Sequence, residues 1–153
     1  MNDIQELIQR IHDSEPRAVV VVAGAGNQSI AWLLGVAGAS RTLLEVLVPY
    51  GRLSMIDLLG HEPDQYVSSD TARKMAGAAY RRALTLREEE PPAPPPPVLG
   101  IACTATIATD RAKRGEHRAY VAAWDQTGCT VYSLLLNKGL RDRAGEDELV
   151  SRL

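Results

Sequence analysis

The stretch Ala18-Val19-Val20-Val21-Val22-Ala23-Gly24-Ala25-Gly26-Asn27-Gln28-Ser29 decides the fold class. Consecutive valines with no polar alternation read as a strand buried on both faces. The run stops at two glycines, and Ser29 to Leu34 then reads as helix. Strand, Gly-rich turn and helix in direct succession is the opening unit of an α/β domain. Glycines let a chain turn sharply and approach a ligand closely. The helix that follows offers free N–H groups and partial positive charge to an anion. Gly24, Gly26, Asn27 and Gln28 are therefore candidate ligand-binding residues. The loop lacks the third glycine of a dinucleotide fingerprint and the Lys-Ser or Lys-Thr pair of a P-loop. A plain strand-to-helix turn is an equal alternative at this point.

Working outward, Ile4, Leu7, Ile8 and Ile11 recur at helical spacing, with Asn2 or Asp3 to cap them and Pro16 to end the segment. Downstream, Gly35 to Ser40 is a second small-residue loop, and Leu43 to Val48 is a strand ending at Pro49-Tyr50-Gly51. Ser54 to Leu59 reads as a short helix closed by Gly60. Ser68 or Ser69 caps the longest helix, running to about Arg87. Its stripe of Ala72, Met75, Ala76, Ala79 and Ala83 permits close packing on a sheet. The Pro-rich residues 91–97 break that helix and read as a stiff surface connector of ~20 Å if polyproline II.

Val98 to Cys103 is the second buried strand, followed by a polar loop from Thr104 to Glu116. Ala119 to Trp124 and Thr130 to Leu136 then form a hairpin around Asp125-Gln126-Thr127-Gly128. Lys138 to Gly145 is basic and loop-like, and Glu146 opens a terminal helix. The expected architecture is one domain over residues 1–153, a three-layer α/β/α sandwich with a mixed, mostly parallel five-stranded sheet.

The chain has 153 residues, 45% of them apolar and 24% charged, enough for one hydrophobic core. A formal charge of −2 argues against a nucleic-acid partner. With no Phe, the core must come from Val, Leu, Ile and Ala. Met1-Asn2-Asp3-Ile4 has neither a basic n-region nor an apolar h-region, and no apolar run reaches the roughly 20 residues of a membrane helix. The expectation is a cytoplasmic protein without a membrane partner. Cys103 and Cys129 make neither a disulfide framework nor a metal cluster, and no metal or cofactor is expected.

The second candidate site is Asp110-Arg111-Ala112-Lys113-Arg114-Gly115-Glu116-His117-Arg118, four cations in nine positions. Such a run is commonly a solvated loop. Here it follows a buried strand that ends in Cys103-Thr104-Ala105-Thr106, and ligands collect at the C-terminal ends of strands in open α/β sheets. Thr104, Thr106, Lys113 and Arg114 join the ligand-binding candidates, the two cations as a phosphate clamp. His117 reads equally as an acid–base group and as a hydrogen-bonded structural residue. Cys103 at a strand end is a candidate nucleophile. His12 and His61 read as surface residues, and Trp32 and Trp124 as core or interface.

In order, these features resemble the C-terminal domain of the CinA family, which includes nicotinamide mononucleotide deamidases. The matching pieces are Gly24-Ala25-Gly26-Asn27, Ala37-Gly38-Ala39-Ser40, and Val48-Pro49-Tyr50 before Leu58-Leu59-Gly60. Val67-Ser68 leading into Met75-Ala76, Val98 to Thr104, and Lys113 to Gly115 complete the set. The resemblance implies the three-layer fold, a homo-oligomer, and hydrolysis of the carboxamide of a pyridine mononucleotide with release of ammonia. It also implies a serine in the Gly-rich loop and a lysine after the Tyr. This chain departs at both places, with Ala23 at the serine and Met55 at the lysine, while the threonine persists as Thr104. An alanine methyl cannot attack an amide, and a thioether cannot deprotonate a hydroxyl.

Three readings follow. The first is a CinA-like domain that binds a small phosphorylated ligand of the pyridine-nucleotide type through a degenerate deamidase site. The second is an active amidohydrolase with a relocated nucleophile, Thr104, Ser29 or Cys103, and His117 as base. The third is a non-catalytic interaction module using the Pro-rich connector or an oligomer interface.

Overall fold

A computed structural model describes residues 1–153. Five strands, β1 (Arg17–Ala23), β2 (Leu43–Leu47), β3 (Val98–Thr106), β4 (His117–Asp125) and β5 (Gly128–Leu136), form one sheet in the order β2-β1-β3-β4-β5. β1 pairs in parallel with both β2 and β3, whereas β3–β4 and β4–β5 are antiparallel. Four strands thus point one way and β4 alone is reversed, giving the mixed sheet the sequence implies. No helix is long and apolar enough to cross a membrane.

The valine run does what its composition dictates. Val19 and Val21 enter one apolar cluster and Val20 and Val22 the other, so β1 is buried on both faces. On the first face lie α3 (Arg52–Leu59) and α4 (Ser69–Leu86), contributing Met55, Ala72, Met75, Ala76, Ala79 and Ala83. The other face carries α2 (Asn27–Gly35) and α5 (Arg143–Arg152) through Ile30, Leu149 and Val150. α1 (Asp3–His12) lies on that face too, its Ile4, Ile8 and Ile11 opposite Val20 and Val22. Burying each valine is worth roughly 1.5–3 kcal/mol relative to exposure, so this strand anchors both cores.

The helix ends follow capping chemistry. Asn2 closes a capping box on α1 with Gln5, both bonds at 2.9 Å. Ser68 accepts the Thr71 amide at the start of α4, and Gly60 ends α3 in the left-handed conformation. Residues 91–97 connect α4 to β3 and are mostly exposed, tethered where Arg87 donates to the Pro96 carbonyl at 3.2 Å.

Three expectations need correction. His12 is not a surface residue: it is 1% exposed, with Nδ1 2.8 Å from Thr42 Oγ1 and Nε2 2.9 Å from the Leu33 carbonyl. It stands four residues after Ile8, so it shares the buried stripe of α1. His61 does lie exposed. β3 runs on to Thr106, which places Thr104 and Thr106 on the strand, because β4 continues to pair with it as far as Thr106↔Arg118. Finally, α5 begins at Arg143 and not Glu146, since Asp142 accepts the Gly145 amide at 2.8 Å and nucleates the helix three residues early.

Candidate functional site

β1 and β3 lie side by side, with Ala23 opposite Thr104. Beyond them opens a pocket of about 190 Å³ whose lining includes Ala23, Gly24, Tyr50, Met55, Tyr66 and Thr104. Gly24 shapes its floor. Its φ is +91°, and a Cβ there would lie 2.0 Å from the Ala105 carbonyl oxygen, so the chain crosses β3 at a distance open only to glycine. Met55 reaches in from α3 at 3% exposure. Thr104, 2% exposed, donates its hydroxyl to the Tyr66 carbonyl at 2.6 Å. Desolvation, aided by the neighbouring Glu62, holds the Tyr66 phenol above its usual range. The two positions at which this chain departs from the resembled pattern therefore meet in one pocket with the threonine that persists.

One pleat further along β3, on the same face as Thr104, Thr106 accepts a bond from Lys113 Nζ at 2.7 Å. The ammonium also donates to the Ile107 carbonyl at 2.6 Å. Burial and then the nearby Arg143 lower the Lys113 pKa, against a smaller raising effect of Glu146. Arg118 stands opposite Thr106 and gives one N–H to the Val67 carbonyl at 3.1 Å. Its buried Nε has no partner. This cation, unremarkable within a basic run, becomes notable only through the β3–β4 register. Arg114 is exposed.

The remaining candidates lie elsewhere. The amides of Gly26, Asn27 and Gln28 all donate to the Asp147 carboxylate, at 2.8, 3.0 and 3.1 Å. The anion expected at the start of α2 is thus internal, supplied by a helix more than a hundred residues away in sequence. No signal near the Gly-rich loop could have announced it. Ser29 Oγ donates to the Gly26 carbonyl at 2.6 Å. Cys103 belongs to the cluster on the α2 and α5 face, opposite Thr104. His117 alternates onto that face as well and holds Glu146 Oε1 at 2.8 Å from Nδ1. Glu146 is fully buried and also accepts the Ala108 amide at 2.7 Å. The pair therefore fastens α5 to the sheet. No group of three His, Cys, Asp or Glu side chains is placed to hold a metal ion.

Burial pushes the Cys103 thiol up to about 12, with the charge of Asp147 adding to it. At pH 8 the thiolate is then on the order of one part in ten thousand, too scarce for nucleophilic chemistry. The expected result is that iodoacetamide leaves Cys103 unmodified in the native protein at pH 8 and alkylates it in urea, read by peptide mass. Fast native labelling would overturn this assignment.

No family model and no curated protein sequence matches the chain. Solved structures do. A competence/damage-inducible protein from Agrobacterium tumefaciens superposes with a TM-score of 0.68 at 22% identity, over 99% of this chain and 92% of that one. A CinA-superfamily protein from Escherichia coli gives 0.69 at 15% identity, covering 97% and 82%. A competence damage-inducible protein from Klebsiella pneumoniae gives 0.72 at 13% identity, covering 99% and 91%. Over nearly its whole length, then, the chain has the fold of the CinA-type competence- and damage-inducible proteins.

Proposed function

We propose that this is a CinA-like domain that binds a small phosphorylated molecule of the pyridine-nucleotide type at the ends of β1 and β3, without hydrolysing it. The observation that carries the reading is the meeting of Ala23, Met55 and Thr104 in one pocket. The resemblance puts a serine and a lysine at the first two of these positions. A methyl and a thioether keep the shape of such a pocket while removing the nucleophile and its base. Its volume, about 190 Å³, suits the ring of a nucleotide more than the whole molecule. The ribose phosphate would extend along β3 toward Lys113 and Arg118, whose positive charge favours it.

The relocated-nucleophile reading is less well supported. Ser29, Cys103 and His117 belong to the opposite face of the sheet from Thr104, and the Thr104 proton is already committed to the Tyr66 carbonyl. Nucleophile and base must lie within hydrogen-bond reach of each other, and His117 bonds Glu146 and none of Thr104, Ser29 and Cys103.

Thermal shift and calorimetry with nicotinamide mononucleotide, nicotinic acid mononucleotide and AMP test the proposal. A pyridine mononucleotide should raise Tm, with Arg118→Ala and Lys113→Ala each weakening binding about 10-fold or more. No ammonia should be released. Absence of stabilisation by all three ligands would overturn the binding claim. Ammonia release lost on Thr104→Ala would establish the amidohydrolase instead.

A further inference from the structure

The end of β3 gathers cations that no carboxylate neutralises. Lys113 Nζ bonds Thr106 Oγ1 at 2.7 Å and the Ile107 carbonyl at 2.6 Å. Arg143 donates to the carbonyls of Ala108 at 2.8 Å and Gly24 at 3.3 Å. Lys138 donates to the carbonyl of Lys113 and, at 2.8 Å, to that of Gly115. None of these three side chains belongs to an ion pair. Glu146, whose charge reaches Lys113, is itself engaged by His117 and the Ala108 amide. Carbonyls orient a cation without cancelling its charge, so the three positive groups stand against one another.

Lys113 differs from its neighbours, for it is half-buried while Lys138 and Arg143 are exposed. An ammonium has three N–H donors, and the protein offers this one two acceptors. The neutral amine keeps both bonds with its two N–H groups and turns its lone pair to the third position. Burial first, then Arg143 and more weakly Lys138 and Arg111, favour that neutral form, with Glu146 opposing. A lysine amine beside other cations is the arrangement that makes a nucleophile for carbonyl carbon. The same cations attract a phosphate carried by the carbonyl compound.

We propose that Lys113 is a covalent site for a small phosphorylated aldehyde, its phosphate on Arg143 and Lys138 and its aldehyde carbon on the Lys113 nitrogen. The amine nitrogen attacks the carbonyl carbon and passes a proton to the oxygen, giving a carbinolamine. Loss of that hydroxyl as water leaves the imine, so one water is released and nothing is oxidised or reduced. The site shares Lys113 with the proposed nucleotide site and does not need the pocket around Ala23 and Met55.

Pyridoxal 5′-phosphate is the probe and pyridoxal its phosphate-free control, each fixed on the full chain by borohydride and located by peptide mass. The lysines are Lys74, Lys113 and Lys138, so every labelled side chain can be assigned. With the phosphorylated probe, label at Lys113 should exceed that at Lys74 by about 10-fold or more, since a cationic site concentrates the anion. The preference should shrink with pyridoxal and in about 1 M salt. Arg143→Ala should lower the Lys113 label by about 5-fold or more. The pH midpoint of labelling at Lys113 should lie below the ordinary lysine range. Even labelling of the three lysines would overturn the proposal. An equal preference for Lys113 with both reagents would overturn the phosphate-bearing ligand. A chain that labels at Lys113 yet binds no mononucleotide would support this site and overturn the nucleotide reading alone.

Discussion

Gly100→Ala should abolish the native fold, or destabilise it by at least about 4 kcal/mol in urea titration. Gly100 lies on β3 where α4 crosses the sheet. A Cβ there would sit 2.2 Å from the Ala76 carbonyl oxygen, 2.3 Å from the Tyr80 amide nitrogen and 2.7 Å from the Tyr80 Cα. All three are helix backbone atoms, so no side chain can rotate away. The helix would have to lift from the strand. That would open the layer in which Ala72, Ala76, Ala79 and Ala83 are completely buried. Since folded domains are stable by only about 5–15 kcal/mol, such a loss leaves little native protein. Gly35→Ala is the control, because nothing lies within 4 Å of its added Cβ. A loss below about 1 kcal/mol in Gly100→Ala would sink the account.

Asp147→Ala is the second large effect, expected at about 3 kcal/mol by the same titration. The carboxylate is 5% exposed and accepts three backbone amides of the Gly-rich loop. Removing it leaves those donors facing a void at the positive end of α2. Asp147→Asn should cost less, about 1–2 kcal/mol, since one amide oxygen can still accept two of the bonds. The Ala variant should also recover stability in added phosphate, as the vacated amides take an external anion. A parent protein stabilised by phosphate as strongly as the variant would show that the amides were open from the start.

Much of the fold was legible in the chain because its signals are local. The valine run gave β1, Ser68 and the alanine stripe gave α4, and the Asp125-to-Gly128 turn gave the hairpin. Of the candidate site, the sequence carried only the expectation of a ligand at the Gly-rich loop and the strand ends; Gly24 of that loop lines the pocket, and the amides of Gly26, Asn27 and Gln28 are held by Asp147. His12 was misread because a histidine offers no local sign of the Thr42 and Leu33 partners that let it be buried. The end of β3 was misread because threonines suit strand and loop alike, and only pairing with β4 decides between them.

What the sequence alone determined is the layered α/β architecture and the identity of two side chains, Ala23 and Met55, that cannot perform amide hydrolysis. Periodicity, caps and residue chemistry are properties of short stretches, so they need no partner to be read. The tertiary structure decided that Ala23, Met55 and Thr104 share a pocket, and that Arg118 stands beside Thr106. It also placed Asp147 at the amides where an external anion was expected. Each of these joins residues far apart in the chain. Such contacts follow from strand register and helix docking, which the whole core fixes together and no local segment encodes.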